Sequence, residues 1–93
     1  MVAGSLMSKP SHQRALDILV HRCGRWSRVD LEGARTCMVY DVAWGFDPGE
    51  DVAHITTNVS PGPPGEHRKD FFRADEVVRI EDPETGAVLF ARE

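Results

Sequence analysis

The sequence predicts an α+β fold: one N-terminal helix packed on a twisted, mainly antiparallel sheet of four to five strands that can curl toward a small barrel. Three observations predict it. Apolar residues in 11–23 recur with the helical period and then switch to a period of two. Residues 77–91 carry a hairpin signature. At 93 residues, with 41% hydrophobic and 28% charged side chains, the chain fits a single domain, 1–93, with one modest core.

The helix is read over residues 11–23. Leu16, Leu19, Val20 and Cys23 fall at i, i+3, i+4 and i+7. Ser8 or Ser11 can cap its start, Pro10 suits the first turn, and Gly24 suits a left-handed stop. Residues 1–8 are expected to be a disordered tail.

After Gly24 come the strands. Trp26 to Leu31 reads as a short strand and Thr36 to Phe46 as a long one. Asp47-Pro-Gly-Glu50 is a turn by composition, and Asp51 to Ser60 is the next strand. Residues 61–69, with Pro61-Gly62-Pro63-Pro64-Gly65, read as a flexible loop. Ala74-Asp75-Glu76 suits a single helical turn. Val77–Glu81 and Ala87–Ala91 then form a hairpin across Asp82-Pro-Glu-Thr-Gly86, with Gly86 expected at positive φ.

Register decides which face is wet. A four-residue loop at 47–50 sets Trp44 opposite Ala53, Val42 opposite Ile55 and Tyr40 opposite Thr57. That pairing gathers the large apolar side chains on one face. Asp41, His54, Thr56 and Asn58 then share the other face. A carboxylate diagonal to an imidazole, with a hydroxyl and an amide nearby, is the candidate site for a small polar ligand or a small enzyme. Hydrolysis by Ser60, His54 and Asp41 is excluded, because His54 and Ser60 on one strand lie roughly 20 Å apart. No catalytic residue, metal site or cofactor is assigned. The acidic turn Asp47, Glu50 and Asp51 lacks the graded spacing that calcium requires.

The chain carries 15 acidic and 11 basic residues, a net charge of −4. Residues 1–35 are net +3 and residues 36–93 net −7, halves that attract within one fold or between chains. The acidic balance argues against nucleic acid as a partner. Even so, Arg22, Arg25, Arg28 and Arg35 around Trp26 are the types that hold a backbone and stack a base, which keeps a nucleic-acid accessory protein as a further alternative. No apolar run is long enough to cross a membrane. The two cysteines, Cys23 and Cys37, read as reduced thiols, and the N-terminus lacks the charge and apolar stretch of a secretory signal, so a cytoplasmic location is expected.

One helix cannot cover the aromatic surface of such a sheet. The leading expectation is therefore a non-catalytic interaction module that forms a homodimer, with Tyr40, Trp44, Phe46, Phe71 and Phe72 as interface candidates. A different protein partner is the other possibility for that surface.

Overall fold

The computed structural model describes residues 9–60 and 68–92. The expected tail, 1–8, and most of the expected flexible loop, 61–67, lie outside the described residues. Within them the α+β reading holds, with one helix and two antiparallel sheets. The corrections are that seven short strands replace four or five longer ones, and that they form two open sheets, not a closed barrel.

Helix α1 spans Ser11–His21 and buries Ala15, Leu16 and Leu19. Its first turn is closed by the Pro10 carbonyl, which accepts the Gln13 and Arg14 N–H groups at 3.0 and 3.1 Å. Pro10 stands at the N-cap and Ser11 is already helical, with no side-chain cap bond. The helix ends two residues early, so Cys23 leaves the apolar stripe and is exposed. Gly24 adopts φ +94°, and its N–H donates to the Tyr40 carbonyl at 2.9 Å.

The four-stranded sheet has the order β2-β1-β6-β7, built from β1 (Ser27–Leu31), β2 (Arg35–Val39), β6 (Val77–Glu81) and β7 (Val88–Ala91). Val29, Leu31, Cys37, Val39, Ile80 and Phe90 point into the core. The opposite face carries charge: Arg28 reaches Asp30 and Glu81, each at 3.6 Å, and Arg79 reaches Glu81 at 3.0 Å. The hairpin of β6 and β7 pairs Ile80 with Phe90, with a register shift beside Glu81. Gly86 has φ +76°, as the turn chemistry predicts.

The three-stranded sheet has the order β3-β4-β5, from β3 (Val42–Gly45), β4 (His54–Thr57) and β5 (Phe71–Arg73). Ala74–Glu76 follows as the expected single turn, a 3-10 helix. Gly49 at φ +81° and a Glu50 N–H to Asp47 carbonyl bond of 2.9 Å close the expected 47–50 turn. The observed register sets Val42 opposite Thr57 and Trp44 opposite Ile55, two residues from the expected pairing. A slip of two preserves which side chains of β3 and β4 share a face. Val42 and Ile55 therefore still turn inward, and His54 and Thr56 outward.

The long strand expected at 36–46 breaks at Tyr40-Asp41, and its halves enter different sheets. Asn58, at φ +56°, supplies the corner. Its Oδ1 accepts the Tyr40 N–H at 2.7 Å, and its Nδ2 donates to the Met38 carbonyl at 3.1 Å and the Arg68 carbonyl at 2.9 Å. These bonds give partners to backbone groups around the bend.

Candidate functional site

The four residues expected to share a ligand face fall into two places. Asp41 and Asn58 are buried in the corner, with 7% and 3% of their surface exposed. Asp41 Oδ1 accepts the Val59 N–H at 2.8 Å and the Ser60 N–H at 3.4 Å, and its own carbonyl accepts the Asn58 N–H at 2.8 Å. Burial pushes the Asp41 carboxyl toward protonation, but the Ser60 hydroxyl and the Ser60 and Val59 N–H groups outweigh it and hold its pKa below the usual range. These bonds make Asp41 a fastener of the bend.

His54 and Thr56 stand on the outer face of the three-stranded sheet. His54 pairs with Gly45, which lies four residues from Asp41, roughly 13 Å at about 3.3 Å per residue. The expected Asp41–His54 pair is therefore not formed. Instead His54 Nε2 lies 3.5 Å from Asp47 Oδ1, and its ring sits 5.8 Å from that of Phe71. A Cβ on Gly45 would stand 3.4 Å from the His54 ring, so glycine makes room for it.

The five interface candidates also divide. Phe72 is 1% exposed, a core residue, because it faces the same side as Ile55 on the central strand. Tyr40 is half-buried against Trp26, with ring centroids 5.0 Å apart. Phe71 is exposed, but on the outer face and on the opposite edge strand from β3. Trp44 and Phe46 remain, 48% and 49% exposed, on and just beyond edge strand β3.

A further constellation joins the end of α1 to the β6–β7 turn. Arg22 donates through Nε to Ser27 Oγ at 2.6 Å, and through Nη2 to the Trp26 carbonyl at 2.7 Å and Asp82 Oδ2 at 3.3 Å. Asp82 Oδ1 takes the Glu84 and Thr85 N–H groups at 2.8 and 3.2 Å. The Glu84 N–H first, then the Thr85 N–H and Arg22, hold the Asp82 carboxyl below its ordinary pKa against the opposing effect of burial. Beside this pair lies a pocket of about 260 Å³, walled by Trp26, Tyr40, Arg25 and Glu84. Arginines 22 and 25 with Trp26 are visible in the sequence as a basic-aromatic stretch. Tyr40, Asp82 and Glu84 join them only through the bend at 40–41 and the hairpin turn, which no local pattern reports.

Opposite charges meet within the chain. Arg22 with Asp82, Arg28 with Glu81 and Arg35 with Glu76 each join the basic first third to the acidic remainder. Among the described residues no three His, Cys, Asp or Glu side chains group as a metal site, and no helix is long and apolar enough to cross a membrane. Comparison with protein-family models, with curated proteins and with solved structures finds no match to this chain.

Proposed function

We propose that the chain is a small non-catalytic interaction module that associates with a second copy of itself along the edge of β3. The observation that carries this is the half-exposure of two large aromatic side chains, Trp44 and Phe46, at an edge strand. The sequence of β3, Val-Ala-Trp-Gly, holds no charge and no proline. Edges meant to stay single are commonly guarded by such residues. The other edges differ: β2 carries Arg35, β5 carries Arg73, and β7 is flanked by α1. A two-fold axis beside β3 would bring two Trp44 indoles together and continue the sheet through both copies. A cytoplasmic location belongs to the same proposal, supported by two cysteines that are both free.

Sedimentation equilibrium at tens of micromolar tests it. The expected mass is twice the 10.4 kDa of one chain, falling to that of one chain for Trp44→Glu with its circular dichroism unchanged. A wild-type chain that sediments as a monomer overturns the reading.

A further inference from the structure

We infer that the pocket between Trp26, Tyr40, Arg25 and Glu84 binds a single guanine nucleotide, its base against the aromatic pair and its phosphate on Arg25. The site is independent of the β3 edge. Its framework is rigid: Arg22, with 12% of its side chain exposed, is held by Ser27, the Trp26 carbonyl and Asp82. The Gly24 N–H ties the same loop to Tyr40. Trp26 and Tyr40, tilted 56° to each other with ring centroids 5.0 Å apart, both line the pocket and supply aromatic surface of the type against which bases pack.

Two exposed charges, Arg25 and Glu84, line this pocket. Asp82 is already engaged by Arg22 and two turn N–H groups, so the Arg25 guanidinium, 66% exposed and 3.5 Å from it, adds little there. That guanidinium can turn to a phosphate, which it matches with paired N–H donors. The Glu84 side chain makes no hydrogen bond or ion pair among the described residues. A carboxylate only accepts, so it selects a base edge with adjacent N–H donors. Guanine presents N1–H and N2–H side by side, whereas adenine has an acceptor at N1.

The volume of about 260 Å³ falls below the roughly 300–1,000 Å³ of pockets for larger ligands and suits one heterocycle. Charge favours a free nucleotide over a strand. The chain is net −4, and Arg22 beside this pocket is closed in by Asp82 and the Trp26 carbonyl, whereas a polynucleotide backbone calls for several cations along one track.

The test is NMR titration of the full chain with guanosine 5′-monophosphate, following the Gly24 amide and the Trp26 indole N–H, with the Trp44 indole as internal control. The Gly24 and Trp26 signals should move together, with a dissociation constant on the order of 0.1–1 mM, and Trp44 should not. Arg25→Gln should weaken the nucleotide about tenfold and leave guanosine unchanged. Adenosine 5′-monophosphate should bind more weakly, and Glu84→Gln should remove that preference. Still signals at ~10 mM nucleotide, or shifts insensitive to Arg25→Gln, overturn the site. Equal affinity for the adenine nucleotide overturns the guanine assignment. Tighter binding of the RNA tetramer UGUU than of the mononucleotide overturns the free-nucleotide assignment.

Discussion

Asn58 and Tyr40, 18 residues apart, are joined by a 2.7 Å hydrogen bond from the Tyr40 N–H to the Asn58 side-chain oxygen. Here one amide side chain does the work of a strand. It bonds the β2 side of the bend at Met38 and Tyr40 and ties it to the chain at Arg68. Without it, Met38 and Tyr40 would each leave a backbone group unpaired in a half-buried corner.

Asn58→Ala should therefore destabilise the fold by about 2–4 kcal/mol, the sum of three lost side-chain bonds and a non-glycine residue kept at positive φ. Asn58→Gly loses the same bonds but tolerates φ +56°, so it should be milder by up to about 1 kcal/mol. Urea denaturation of the three proteins measures both differences. An alanine variant as stable as wild type would remove Asn58 from the corner.

Asp41 makes the corner acid-sensitive. Its folded pKa is lowered, with burial opposing and the Ser60 and Val59 donors prevailing. The folded state therefore binds the Asp41 proton less readily than the unfolded chain. The stability this contributes is present above the unfolded pKa and is lost as pH falls through the folded one. Thermal melts from pH 7 downward should show wild type losing its advantage over Asp41→Asn below about pH 4. A constant gap between the two across that window would contradict the assignment.

The hairpin turn gives a cleaner backbone test. A Cβ at Gly86 would meet nothing within 4 Å, so the cost of Gly86→Val is conformational and not steric crowding by neighbours. At φ +76° a β-branched residue should lose about 1–2 kcal/mol, and Gly86→Asn less. Chemical denaturation orders the three, and valine matching glycine would be the contrary result.

The two thiols should react at different rates. Cys37 is buried, and burial together with nearby Asp70 pushes its pKa up to about 12, so little thiolate forms at neutral pH. Cys23 is exposed beside the end of α1. A native sample treated with a thiol reagent at neutral pH should modify Cys23 first, with Cys37 following only in denaturant. Mass spectrometry of the labelled peptides reads this directly, and prompt labelling of Cys37 in the native protein would be the opposite outcome.

What the sequence determined by itself is what its neighbours in the chain decide. The helix with Leu16 and Leu19 on its buried side, the turns at 47–50 and 82–86, the single helical turn at 74–76 and the positive φ of Gly24 and Gly86 depend on residues within a few positions of each other. The division of β3 and β4 into inner and outer faces was legible too, because a two-residue slip in register preserves it. Tertiary structure alone decided that the 36–46 run breaks at Tyr40-Asp41, since both halves have strand-like alternation and the bonds that bend them come from residues 58–60. From that break follow the two sheets, the separation of Asp41 from His54 and the meeting of Tyr40 with Trp26. Local propensity records which conformations a segment tolerates. Which one it adopts here depends on distant hydrogen-bond partners that satisfy its backbone.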